Sequence, residues 1–211
     1  MSVYFNLECQ QCPRLAQHLK QIRVTHPDYF AKPVPPFGDP HARLVIVGLA
    51  PGMHGANRTG RPFTGDHAGI LLYETLYRFG FSTQAVAEHV DDGLILKNCR
   101  ITNAVKCLPP ENKPTTDEIN MCNQYLAAEL INAVPHDAVI VALGTVAHNA
   151  VLAGFKLKKS SYPFAHAAQH KLPSGQWLID SYHCSRYNTQ TRRLTTEMFH
   201  AVFATAKHLL D

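Results

Sequence analysis

Leu44-Val-Ile-Val-Gly48-Leu-Ala-Pro-Gly52-Met-His-Gly-Ala-Asn57-Arg58-Thr-Gly-Arg61-Pro-Phe63-Thr-Gly-Asp66 is the stretch that decides how this chain folds. Its opening run is apolar without alternation, the pattern of a parallel strand buried on both faces. The loop that follows holds five glycines and two prolines, which speak against regular structure. It also carries Asn57, Arg58, Arg61, Phe63 and Asp66: an amide, two cations, a ring and a carboxylate. A helical pattern begins near Ala68, so the loop sits at the carboxyl end of a strand. Open α/β sheets bind their ligands there. A loop this long with so little apolar filling is more often functional than idle.

Outward from it, the same alternation repeats. After Asp66, Ile70, Leu71, Leu72, Leu76 and Tyr77 predict a helix to Phe79, with Gly80 as its terminator. Cys99 to Val105 reads as a second strand, followed by a proline loop at Pro109, Pro110 and Pro114. Thr115-Thr-Asp-Glu118 has the form of a capping box, opening a helix to about Ala133. Ala138 to Leu143 is a third strand, and Gly144-Thr145 turns into a helix towards Gly154. Trp177 to Tyr182 is the fourth, and Thr195 or Thr196 caps a last helix through His208. Strand alternating with helix predicts an α/β protein with a parallel sheet. The proline-rich segment from His26 to His41 is expected as an extended connection wrapping the domain, and Ser82 to Lys97 carries no clear pattern.

The chain has 211 residues, 45% hydrophobic and 17% charged, which fits one domain over 1–211 and sets disorder aside. It has no apolar run of membrane-spanning length, and Met1 to Gln10 lacks the pattern of a signal peptide. A cytoplasmic protein is expected. The net charge of +4 is compatible with an anionic partner and does not establish one.

With all strands parallel, the Gly48–Asp66 loop, Asn103 and His183 converge on one sheet edge. Such a pocket suits a planar heterocycle. Phe63 can stack on it, Asn103 can pair a donor and an acceptor on its edge, and an imidazole can bond a carbonyl. Each residue also has a plain structural reading: core for Phe63, a turn bond for Asn103, a satisfied buried histidine for His183. Six cysteines in a chain of this type read as ligands or buried thiols. Cys9 and Cys12 form a Cys-x-x-Cys at a helix start. Cys107 leaves the strand of Asn103, and Cys122 lies on the helix after the proline loop. Four thiolates suit a tetrahedral zinc or an iron–sulfur cluster, and spacing does not separate the two. Cys99 and Cys184 are expected as free thiols.

The Gly48–Asp66 loop, Thr102-Asn-Ala-Val-Lys-Cys-Leu-Pro-Pro110, and His183 with Ser185-Arg-Tyr-Asn-Thr189 and Arg193-Leu-Thr195 together resemble the three motifs of the type 5 (B-type) uracil-DNA glycosylases. The likeness spans nearly the whole chain. Where that family has proline, this chain has Cys184. The resemblance implies a three-layer α/β/α sandwich around a central four-stranded parallel sheet, and a [4Fe-4S] cluster on Cys9, Cys12, Cys107 and Cys122, with zinc as the alternative. It implies removal of uracil from double-stranded and also single-stranded DNA by a monomeric enzyme of base excision repair. Asp66 would face the sugar cation and orient water, and His183 would face the departing base. Gly48, Ala50, Phe63 and Asn103 would form the base pocket, and Ser185, Arg186, Asn188, Arg192 and Arg193 would grip DNA. An uncrowded Ala50-Pro51-Gly52 floor implies tolerance of hypoxanthine and other deaminated or modified bases.

Two other classes compete. A phosphate-cradling hydrolase or kinase fits poorly, because the loop lacks the Gly-Lys-Ser/Thr ending of a P-loop. A non-catalytic nucleic-acid-binding module, stapled by zinc or a cluster, would use the His183 loop and leave Asp66 idle.

Overall fold

A computed structural model describes residues 4–211. The elements run α1 (Pro13–Thr25), β1 (Phe37–Gly38), β2 (Leu44–Gly48), α2 (Ala56–Thr59), α3 (His67–Arg78), β3 (Cys99–Asn103) and α4 (Thr116–Asn132). They continue with β4 (Val139–Leu143), α5 (Thr145–Gly154), β5 (Gln169–Lys171), β6 (Trp177–Ser181), α6 (Arg186–Gln190) and α7 (Thr196–Leu210). The sheet order is β1-β3-β2-β4-β6-β5. Its four central strands, β3, β2, β4 and β6, are parallel, as the apolar runs predicted. Two short edge strands make it a mixed sheet of six: β1 is antiparallel to β3 and β5 to β6. The sequence hides both. Gln169–Lys171 is polar and largely exposed, and Phe37–Gly38 lies among prolines, which edge strands tolerate.

The strands β2, β3 and β4 are buried at every position because helices cover both faces. Leu44, Ile46, Ile101, Val139, Val141 and Ile179 face α3 and α7, meeting Leu72, Leu76, Phe199 and Phe203. The alternate residues, Val45, Val47, Ile140, Ala142 and Leu178, face α4 and α5. This is the three-layer α/β/α sandwich. The helix α1 lies apart from these layers, packing Leu19 and Ile22 against Leu108.

Caps set the helix starts. The capping box at Thr115 is complete: its hydroxyl accepts from Glu118 N–H and the Glu118 carboxylate accepts from Thr115 N–H at 2.8 Å. Thr195 caps α7 through Met198 N–H. Each such cap contributes about 1 kcal/mol. Two helices were not expected. The tetrapeptide Ala56–Thr59 contains neither glycine nor proline, so one turn forms inside the glycine-rich loop between Gly55 and Gly60. In the polar segment after His183, Ser185 accepts from Asn188 N–H and starts α6. Residues 82–98 contain one isolated bridge, Ser82 to Leu96, and are anchored by an ion pair between Arg61 and Asp92.

Among the described residues, no helix is long and apolar enough to cross a membrane.

Candidate active site

The connection leaving β2 runs to β3 on one side, and the one leaving β4 runs to β6 on the other. The sheet therefore has its switch point between β2 and β4, where a crevice opens outside the strand ends. A cleft of about 490 Å³ lies there. It is lined by Ala50, Phe63, Asp66, Asn103, His183 and Arg186, among others. Residues as far apart in sequence as Leu49 and Arg186 share one space only because parallel strands end on the same edge.

At its floor, Gly48 closes β2 against two of these groups. A side chain there would stand 2.4 Å from Asn103 Oδ1 and 2.7 Å from the Phe63 ring, so the bare backbone is what leaves them their places. Phe63 is buried with φ at +54°, an uncommon conformation for a large side chain and one held by its surroundings. Its ring stacks on His183 at 6.0 Å between centroids and 27° between planes. Asn103 is 3% exposed, and its Oδ1 is buried with no hydrogen-bond partner. His183 Nδ1 is likewise buried and unpartnered. Orphaned polar atoms are uncommon in folded proteins, and two in one cleft mark a place for a ligand's polar edge.

Burial lowers the His183 pKa to about 4, so the ring is neutral near pH 7. Asp66 moves the other way. Burial raises its pKa, while the N–H of Gly69 and the neighbouring His67 partly offset that. The two Asp66 oxygens are placed differently. Oδ1 caps α3 by accepting from Gly69 N–H at 2.8 Å. Oδ2 lies over Gly55, where a side chain would come within 2.4 Å of it, so glycine there keeps the second oxygen clear.

The rim comes from the His183 turn and α6. Asn188 Nδ2 donates to the His183 carbonyl at 2.8 Å, placing Asn188 as a brace of this turn. The hydroxyl of Ser185 is taken up by the α6 cap. Arg186, Arg192 and Arg193 are exposed, and the Arg193 guanidinium stands 4.8 Å over the Tyr182 ring. Cys184, in the position that carries proline in the resembling family, is fully buried in the α3/α7 core, and burial pushes its thiol up. Of the cations and amide in the first loop, Arg61 is consumed by Asp92 at 2.8 and 2.5 Å. That pair holds the Asp92 carboxyl down at about 2. Asn57 is buried away from the cleft lining, and Arg58 Nε donates to the His54 carbonyl.

Several lining residues have no signature in the sequence. His67 bridges the two walls through Nε2 and Thr189 Oγ1 at 3.1 Å. Asn112 enters from the proline loop, and Thr145 and Val146 from the start of α5. Only Gly144 preceding a helix hinted at the last two.

On the far flank of β3, Cys9, Cys12, Cys107 and Cys122 line a single recess. Arg14 holds α1 to α4 there, donating to both Glu118 oxygens at 2.8 and 2.7 Å. Lys106 N–H donates to Cys122 Sγ at 3.3 Å. Burial, then the neighbouring Cys122, lifts the Cys12 pKa to about 11. Among the described residues, no three of these sulfurs lie within 4.8 Å of one another. One zinc with bonds of about 2.3 Å would draw them to about 3.8 Å apart. As they stand, the four sulfurs are not gathered as a single zinc would hold them. Cys99 is buried apart from the recess.

The chain is similar to known proteins over most of its length. Residues 35–207 match the family model of the uracil DNA glycosylase superfamily. The chain is 48% identical to the type-5 uracil-DNA glycosylase of Thermus thermophilus over 95% of this chain and 93% of that one. It is 38% identical to the type-5 enzyme of Pyrobaculum aerophilum over 90% and 84% of the two chains. It is 33% identical to the type-4 uracil-DNA glycosylase of Thermotoga maritima over 71% and 64%. With the family model covering most of its length, this chain belongs to the uracil-DNA glycosylase superfamily.

Proposed function

We propose that the chain, working as one monomeric domain, extrudes uracil from DNA and hydrolyses its glycosidic bond, leaving an abasic site for base excision repair. It is an N-glycosylase acting on DNA. The observation that carries the uracil reading is the meeting of Phe63, Asp66, Asn103 and His183 in one cleft, with buried unpartnered atoms on the last two.

The bond from C1′ to the base breaks with its electron pair going to the base, leaving a cationic sugar and an anionic base. Asp66, with Oδ2 clear above Gly55, faces the cation and orients a water whose oxygen bonds to C1′ as its proton passes to solvent. His183, neutral at working pH, donates one hydrogen bond to the base carbonyl where charge accumulates. The departing base takes its proton from solvent. Asn103 reads the pairing edge and Phe63 stacks on the ring. Ser185, Arg186, Asn188, Arg192 and Arg193 form the rim that meets the strand, Asn188 by bracing the His183 turn. Extruding the base from a duplex costs a few kcal/mol, and less from a single strand. The open floor at Ala50 admits hypoxanthine and other deaminated bases as well.

Cys9, Cys12, Cys107 and Cys122 would hold a [4Fe-4S] cluster, with zinc as the alternative. When bound, the group ties α1, the β3 loop and α4 together and stands outside the reaction. The enzyme acts in the cytoplasm on nucleoid DNA.

The test is incubation with duplexes carrying U·G, U·A or hypoxanthine·T, followed by alkali. Strand breaks at the lesion are expected. Intact strands on all three, with binding retained, would establish a non-catalytic DNA-binding module in its place. Cleavage of the uracil duplexes alone would remove only the broad substrate range. Iron and sulfide analysis separates cluster from zinc.

A further inference from the structure

Behind the cleft, a second group of ligand-type side chains takes no part in the proposed reaction: His148 on α5, His170 on β5 and Asp180 on β6. One ligand atom from each lies within 4.8 Å of the other two. His148 and Asp180 are buried at 1% and 0% exposure, while the His170 side chain keeps 13%. His148 Nε2 donates to the Tyr162 carbonyl at 2.9 Å, which fixes a proton on Nε2 and turns Nδ1 towards Asp180 Oδ1 at 2.7 Å. A histidine whose outer nitrogen is held by a backbone carbonyl is the usual form of a metal-binding imidazole.

The remaining atoms are the informative ones. Asp180 Oδ2 and His170 Nε2 are both buried, and neither makes a hydrogen bond. They stand 3.5 Å apart. Nitrogen and oxygen ligands at about 2.1 Å from a tetrahedral ion lie about 3.4 Å from each other. The gap is too long for a good hydrogen bond and matches the edge of a coordination tetrahedron. Two orphaned atoms facing one point, beside a pre-oriented imidazole, need a common partner.

We propose that His148 Nδ1, His170 Nε2 and Asp180 bind a divalent transition-metal ion, with zinc best suited to two imidazoles and a carboxylate. The ion takes the place of the one proton shared between His148 Nδ1 and Asp180 Oδ1, which is released on binding. The partly exposed His170 edge is its way in. The ligands join α5, the edge strand β5 and β6, so the ion pins the edge of the sheet. Both α5, at its first residue, and β6, just before His183, border the cleft, and the metal therefore stiffens its rear wall without touching substrate.

The experiment uses the full chain, with metal and sulfide at the cysteine quartet quantified beforehand, titrated with cobalt chloride and then zinc sulfate. One further cobalt equivalent is expected, showing ligand-field bands without thiolate charge transfer, and zinc displaces it. At a 100-fold excess over Kd, zinc raises the melting temperature by about 5–10 °C. His170→Ala, which leaves folding and uracil excision intact, weakens binding at least about 100-fold. His170→Gln, which keeps the edge strand polar, behaves alike. No added equivalent, thiolate bands, or unchanged affinity in both variants would overturn the site and leave Asp180 as a carboxylate shared by two histidines.

Discussion

Asp66 caps α3 with one oxygen and leaves the other for the proposed chemistry, and a single substitution separates the two. Asparagine keeps an N-cap acceptor for Gly69 N–H but cannot carry the negative charge that faces the sugar. Asp66→Asn is expected to keep its melting temperature within a few degrees while uracil excision falls by about 100-fold or more. Asp66→Ala should lose about 1 kcal/mol of stability as well. Excision assays beside thermal unfolding distinguish the two effects, and full activity in Asp66→Asn would remove it from the chemistry.

His183 predicts a pH signature. Its folded pKa of about 4 lies below the unfolded value of about 6.5. Between those values the unfolded chain binds a proton that the folded one refuses. Stability from this residue is therefore held above pH 6.5 and lost as pH falls towards 4, by about 3 kcal/mol in all. Chemical denaturation from pH 7.5 to 4.5 should show a steeper loss in the wild type than in His183→Gln. Equal slopes would mean that the ring is already protonated or solvated in the folded state.

At the scale of elements, the cleft depends on what β2 lacks at its end. Gly48→Ala puts a methyl carbon 2.4 Å from Asn103 Oδ1 and 2.7 Å from Phe63, so these side chains must move from their places in the cleft. Base binding should fail before folding does. KM for uracil-containing DNA is expected to rise by about 10-fold or more, the effect of roughly 1.4 kcal/mol of lost contact. Unchanged KM would show that the Asn103 amide does not read the base. The helix α6 acts at the same scale: Ser185 and Asn188 spend their polar groups holding the turn, so the loop presents cations on a fixed frame.

For the whole molecule, DNA affinity should follow the charges on that frame. Three phosphate contacts from Arg186, Arg192 and Arg193 give a slope of about −2.7 in log K against log salt for duplex DNA. Arg192→Ala should reduce its size by about 0.9, with little change in base preference. An unaltered slope would place the DNA backbone elsewhere.

The sequence by itself determined the central sheet, most helix starts and which residues meet in the cleft. Unbroken apolar runs in β2 and β4 can only be strands covered on both faces, and Thr115 with Glu118 announces a helix start through local bonds alone. Asp66, Asn103 and His183 were legible as cleft residues because one ends a strand and the others lie in the connections that leave strand ends. Tertiary structure decided what depends on distant partners. Local pattern cannot show that Asp92 engages Arg61, or that Asn188 turns inwards to a carbonyl. The edge strands β1 and β5 exist because a neighbour offers them backbone partners, which their own polar or proline-flanked residues do not signal. His148, His170 and Asp180 were likewise invisible, since sheet order alone brings α5, β5 and β6 together.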